Sequence, residues 1–233
     1  MPYSRSFFLR LEDADSNYFI TNKAILELME NTADEASAQI GDDIMSLNAR
    51  GLSWVIVEWN FEILNRPRYR DEITVQTWVR EANNRYIWRD FEVFLGEQKI
   101  AVATSKWMLI ELDKKQIVEL DEQHLAAYQI EDREALPNPT RARLELDETY
   151  QNSTPIYMRK ADFDLNNHVH NSTYLDYMQE VGLTEPRKIR MVFHREITQR
   201  DKVFVKSNIL GELAHIAICN ENNEAFFLAE QQK

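Results

Sequence analysis

Asn22-Lys-Ala-Ile-Leu-Glu-Leu-Met29 has the spacing of a helix with one apolar face, and it returns later in the chain as Asn171-Ser-Thr-Tyr-Leu-Asp-Tyr-Met178, with Asn, Leu, an acid and Met in the same places. Thr21 stands ahead of the first copy as a candidate N-cap. Behind it Thr32, Ala33, Ala36 and Ile40 prolong the stripe begun by Ile25, Leu28 and Met29, and Gly41 supplies a stop. After each helix comes a second matched pair, Arg70-Asp-Glu-Ile-Thr-Val75 and Arg200-Asp-Lys-Val-Phe-Val205. Two matches in the same order mark an internal repeat.

The segments between these matches read as strands. Val55, Val57, Trp59, Phe61 and Ile63 alternate strictly, the pattern of a strand with one buried face. Further strands are predicted at 72–79, 86–95 and 99–112, with a turn at Asp113-Lys-Lys-Gln116. In the second half the spacing predicts a short strand at 156–158, a polar loop, a helix over 172–181, and strands at 188–197, 202–210, 213–219 and 225–228. An antiparallel sheet with one apolar face needs a cover, and one long striped helix provides it. The fold class is therefore α+β, a duplicated helix-plus-sheet unit. We expect domains at 1–128 and 153–233, joined by a charged linker at 129–152 that carries Pro137 and Pro139.

Composition narrows the function. At 233 residues and 44% apolar content the chain can build a packed core. No apolar run approaches the roughly 20 residues of a membrane span, and Met1-Pro-Tyr-Ser-Arg5 lacks the layout of a signal peptide. The single cysteine, Cys219, allows no internal disulfide and fits a reducing compartment. A net charge of -12 argues against nucleic acid as a partner. It also obliges any acidic protein partner to dock on a local basic cluster, because charges are screened beyond about 8 Å. Arg66, Arg68 and Arg70 form one such cluster and Arg187, Lys188 and Arg190 another, each equally readable as a solvated face.

The chemistry concentrates in Asp162-Phe-Asp-Leu-Asn-Asn-His-Val-His-Asn171. Asp164, Asn166 and His168 recur every second residue, so an extended stretch would present acid, amide and imidazole on one side. The helix that follows would offer unpaired N–H groups to a developing oxyanion. A calcium loop is excluded, since Asn167 and Thr173 stand where glycine and glutamate are required. A zinc site on His168 and His170 lacks further ligands at metal spacing. The remaining alternative is that these residues simply form turns and cap the helix. No nucleophile elbow, phosphate loop or dinucleotide fingerprint is present, and Cys219 lies in the apolar run Ile216-Ala-Ile-Cys219, so the chemistry falls to water activated by a base, with no cofactor and no metal.

The same segment resembles the signature of the acyl-acyl carrier protein thioesterases of plants and bacteria, which runs Asp-Leu-Asp, an apolar residue, then Asn-Gln-His-Val-Asn-Asn. The first helix, Gly51-Leu-Ser-Trp-Val55 and Pro67-Arg-Tyr-Arg-Asp-Glu72 are similar to that family too, so the likeness covers nearly the whole chain. It implies two tandem hotdog domains, each an antiparallel sheet wrapped around a long helix, and hydrolysis of acyl thioesters held on phosphopantetheine, with acyl carrier protein as partner. It implies the catalytic set Asp164, Asn166, His168 and Glu196. Two positions depart from the family: Ile197 stands where plant members often have cysteine, and His170 replaces an asparagine. With no transit peptide, a bacterial cytoplasmic enzyme is expected.

On this reading Glu196 or His168 takes a proton from water, Asn166 orients water or substrate, and Asp164 holds the other two; the sequence leaves the base undecided. Ile25, Met29, Trp54, Ile56 and Trp107 are the candidates for the acyl tunnel of the N-terminal domain. An acyl-CoA thioesterase, a hydratase-like hotdog protein and a non-catalytic acyl or carrier-binding module are the rivals, and a homodimer is left open.

Overall fold

Thr21 accepts the Ala24 N–H on its Oγ1 at 3.1 Å and starts helix α1, Asn22–Ala38. Past its end Gly41 takes φ +73°, a left-handed conformation that costs glycine little. The buried face of α1 carries Ala24, Ile25, Leu26, Met29, Thr32, Ala33 and Ser37. A computed structural model describes residues 2–136, 143–146 and 149–233, and the chain divides into two units, Met1–Pro139 and Thr140–Lys233.

In the first unit β1 (Tyr3–Phe8), β2 (Leu52–Ile63), β3 (Glu72–Ala82), β4 (Ile87–Leu95) and β5 (Gln98–Glu111) form an antiparallel sheet in the order β1-β3-β4-β5-β2, with the two-residue β6 (Gln116–Ile117) on β5. Helix α1 packs on β1 and β3. The short helices α2 (Ile44–Asn48) and α3 (Glu122–Ala127) start at Asp43 and Asp121, whose carboxylates accept N–H groups of the first turn. In the second unit β7 (Asn152–Ile156), α4 (Thr173–Gln179), β8 (Lys188–Phe193), β9 (Val203–Leu210), β10 (Leu213–Asn220) and β11 (Ala225–Gln232) follow, with sheet order β8-β11-β10-β9-β7. Each unit is thus an antiparallel sheet with few helices.

Some sequence expectations need correction. The strict alternation in β2 fails at a bulge between Ile56 and Glu58. One extra residue flips the faces, so Ile56 is buried whereas Val55 and Val57 are only partly so, and Trp59, Phe61 and Ile63 resume the inward pattern. The strand expected at 156–158 lies at Asn152–Ile156. The second helix is shorter than 172–181, and the strand expected to run to 197 stops at Phe193. Strand β1 and helices α2 and α3 were not read from the sequence.

Within 129–152 a few of the described residues bond to or pack on neighbouring strands, while most are exposed. Glu131 N–H reaches Val79 O at 3.0 Å, Trp78 Nε1 reaches Arg133 O at 3.0 Å, and Ala135 N–H reaches Asp90 Oδ2 at 2.8 Å. On the other side Leu144, Leu146 and Tyr150 pack against Ala217, Cys219 and Leu228. Pro137 and Pro139 lie outside the described residues. Cys219 is a buried free thiol, and burial pushes its pKa up. A native sample should therefore give no signal with a thiol-reactive chromogenic disulfide until denaturant is added; prompt native labelling would contradict this burial.

Candidate active site

The loop ahead of α4 begins at Asp162, a buried carboxylate that accepts the Arg159 N–H at 2.7 Å, the Arg159 Nε at 3.0 Å and the Tyr177 hydroxyl at 3.0 Å. Burial opposes ionisation there, but these hydrogen bonds and the Arg159 charge prevail and hold the pKa below the ordinary carboxylate value of 3.8. A lowered folded pKa gives stability that is present above the ordinary value and lost as pH falls through the folded one. Asp162→Asn should therefore flatten the fall of Tm below about pH 4, and an unchanged acid slope would contradict the assignment.

From Asp162 the chain makes a tight hairpin turn rather than an extended run. Phe163 and Val169 form a bridge, the Asp164 N–H donates to His168 O at 2.8 Å, and Asn167 at the tip has φ 60°. The alternating-face reading of Asp164, Asn166 and His168 is corrected accordingly. Asp164 Oδ1 accepts the N–H of Asn166 at 2.8 Å and of His168 at 3.0 Å, which is the Asx-turn chemistry the sequence allowed as an alternative. Past the turn Val169 N–H donates to Ile197 O at 3.0 Å, and His168 bridges Thr198. These contacts draw in the loop after β8, and Glu196 sits on that loop, not on a strand. Its Oε2 lies 3.1 Å from His168 Nε2, both side chains partly open to solvent. Asn166 is half-buried, and among the described residues its side-chain amide makes no hydrogen bond.

The helix start does not offer the oxyanion donors expected of it. The N–H of Ser172 faces His170 Nδ1 at 3.3 Å, and those of Thr173, Tyr174 and Leu175 bond to His170 O, Asn171 O and Ser172 O. All four are already satisfied inside the tight turn that enters α4.

The first unit contains the same loop. Asp15 Oδ1 accepts the N–H of Asn17 at 2.8 Å and of Phe19 at 2.9 Å, Tyr18 at the tip has φ 65°, and Ile20 N–H donates to Pro67 O at 2.9 Å. The signal was present in the sequence as Asp13-Ala-Asp-Ser-Asn17 against Asp162-Phe-Asp-Leu-Asn166 but went unread. Where the second copy has His168 and Glu196, the first has Phe19 and Arg66, and Arg66 Nη1 is bound to Ile20 O at 2.9 Å and Asn22 Oδ1 at 2.8 Å. The acid and amide of the turn occur in both copies; the imidazole–carboxylate pair occurs in one.

The other sequence candidates fall into two groups. Ile25 and Met29 are buried on α1. On the sheet, Ile56 stands directly across from Trp107, while Trp54 meets the rings of His124 and Tyr128 edge-on with centroids 6.3 and 6.4 Å away. The two basic clusters are only partly surface. Arg68 lies over Phe19 and Arg70 over Tyr69, but Arg66 is half-buried and Arg190 is buried.

Residues 1–128 match the description "Acyl-ACP thioesterase N-terminal domain" and residues 145–226 match "Acyl-ACP thioesterase C-terminal domain". The chain belongs to the acyl-ACP thioesterase family. Among its relatives is oleoyl-acyl carrier protein thioesterase 2, chloroplastic, of Arabidopsis thaliana, 25% identical over 86% of this chain and 61% of that protein. The chain thus spans about six tenths of the length of the curated relatives it matches first. Two solved structures have a similar fold. An acyl-ACP thioesterase from Bacteroides thetaiotaomicron has a TM-score of 0.86 at 19% identity, covering 98% of this chain and 96% of its own. The 12:0-ACP thioesterase from Umbellularia californica has a TM-score of 0.85 at 17% identity, covering 99% and 96%. Among the described residues no helix is long and apolar enough to cross a membrane.

Proposed function

We propose that this member of the acyl-ACP thioesterase family hydrolyses fatty acyl-acyl carrier protein to free fatty acid and carrier in fatty acid biosynthesis. The observation that carries the reading is the 3.1 Å approach of His168 Nε2 to Glu196 Oε2, in the one copy of the duplicated loop that has a base. Glu196 with His168 takes a proton from water, the water oxygen bonds to the thioester carbonyl carbon, and the tetrahedral intermediate collapses with cleavage of the C–S bond. The proton passes to the leaving phosphopantetheine thiolate. Asn166, whose side-chain amide makes no hydrogen bond among the described residues, orients the water or the carbonyl, and Asp164 sets the turn that aims both.

The two halves read as tandem hotdog domains, a view supported by the repeated loop and by the helix-plus-antiparallel-sheet content of each. We assign residues 1–128 to acyl-chain binding, with Ile25, Met29, Trp54, Ile56 and Trp107 as contacts, residues 153–233 to catalysis, and residues 129–152 to the connection. The free buried Cys219 supports a reducing, cytoplasmic setting.

Turnover on matched palmitoyl-carrier protein and palmitoyl-coenzyme A, followed as free thiol, tests the carrier. The reading expects a higher kcat/KM with the carrier protein. Preference for the coenzyme A ester would make the enzyme an acyl-CoA thioesterase, and no thiol from either would leave only a binding module.

A further inference from the structure

Inside the first unit lies a charge that no described neighbour balances. Arg89 on β4 is 4% exposed and is held between the sheet and α1, where its Nη2 donates to Ser37 Oγ at 3.2 Å and its Nη1 to Thr77 Oγ1 at 3.5 Å. Among the described residues these two hydroxyls are the hydrogen-bond partners of its guanidinium, and no carboxylate pairs with it. A guanidinium stays charged even where, as here, burial lowers its pKa. Taking such a charge out of water without a counter-charge is costly. A second unpaired donor lies in the same cross-strand row. Trp59 on β2 stands opposite Ser105 on β5, and Ser105 stands opposite Arg89, so the three side chains share one face of the sheet. Trp59 is fully buried, its ring lies 5.0 Å from that of Phe91, and its Nε1–H finds no acceptor among the described residues. The hydroxyl between the two donors is already spent, since Ser105 Oγ accepts Trp107 Nε1 at 2.6 Å and donates to Arg89 O at 3.2 Å. Trp107 and Ile56, two of the proposed acyl contacts, face each other in the next row. An alkyl chain lying on them would meet, one row deeper, a cation and an N–H group that no hydrocarbon can satisfy.

We infer that Arg89 and Trp59 form a buried carboxylate subsite, which takes the charged end of an alkyl carboxylate held in the first unit. The inference rests on the proposed assignment of residues 1–128 to acyl-chain binding. Charge decides the ligand class. A hydroxyl or keto oxygen would accept the N–H groups but leave the guanidinium unbalanced, whereas a carboxylate does both. Two ligands carry that group on an alkyl chain: the released fatty acid, and an acyl chain whose far end is itself a carboxylate.

Calorimetric titration of the full chain with dodecanoate and with 1-dodecanol, which share the chain and differ in the head, tests the subsite. We expect dodecanoate to bind about 10- to 100-fold more tightly, the worth of hydrogen bonds to a charged group, and Arg89→Met to bring the two affinities together. Because that variant removes an unbalanced buried charge and keeps most of the bulk, its Tm without ligand should be no lower than that of wild type. Equal affinities in the wild type would overturn the inference and leave acyl binding in place; no binding of either ligand would remove the acyl-binding assignment as well. An Arg89→Met protein that keeps the preference, or that melts well below wild type, also overturns it, because the guanidinium then serves elsewhere or serves the fold. Kinetics separates the two sources. If the released product fills the subsite, dodecanoate inhibits hydrolysis of dodecanoyl-carrier protein competitively, and about 10-fold more weakly in Arg89→Met. If the far end of the acyl chain fills it, the carrier ester of dodecanedioic acid has a lower KM than the dodecanoyl ester, and Arg89→Met abolishes the difference. The absence of both effects would overturn the inference.

Discussion

Replacing Glu196 with Gln is expected to lower kcat by about 10²- to 10⁴-fold, with KM little changed. The substitution keeps shape and removes only the capacity to hold a proton, so the loss falls on a step in which water is deprotonated. His168→Ala should lose a comparable factor, because its Nε2 lies 3.1 Å from the Glu196 carboxylate and the two act as one unit. The double variant should then be no slower than the worse single one, as groups acting in series are strongly non-additive. Steady-state kinetics on an acyl-carrier substrate checks all three proteins. Near-wild-type turnover in both single variants would remove the base from this site.

The second large effect separates scaffold from chemistry. Asp15 and Asp164 make the same two hydrogen bonds to backbone N–H groups, so Asp15→Ala and Asp164→Ala should each destabilise the fold by about 1–3 kcal/mol. Only Asp164→Ala should also lower turnover, by about 10²-fold, because only its turn carries an imidazole whose placement matters. Denaturant unfolding and kinetics on the two variants distinguish the outcomes. Equal activity losses in both would mean that the first copy takes part in the reaction, and unaltered stability in both would mean that the turn does not depend on the carboxylate.

The duplicated layout was readable because helical stripes and strand alternation are local properties. Both matched pairs, Asn22–Met29 with Asn171–Met178 and Arg70–Val75 with Arg200–Val205, fall at corresponding positions of the two units. The bulge at Val57 was not readable, since an extra residue in one strand is detectable only against its partner. The spacing of Asp164, Asn166 and His168 suggested a strand face. The short-range pull of the Asp164 side chain on two backbone N–H groups wins locally and makes a turn. Glu196 came from resemblance alone, and only the folded chain brings it to His168.

The most direct test of the account is a paired product assay on wild-type protein and Glu196→Gln with one fatty acyl-carrier substrate, quantifying free thiol and free fatty acid together. Hydrolysis in the second copy of the loop requires the two products to appear one for one in the wild type and to vanish in the variant. Carrier bound without release of either product, or equal release by both proteins, would contradict it.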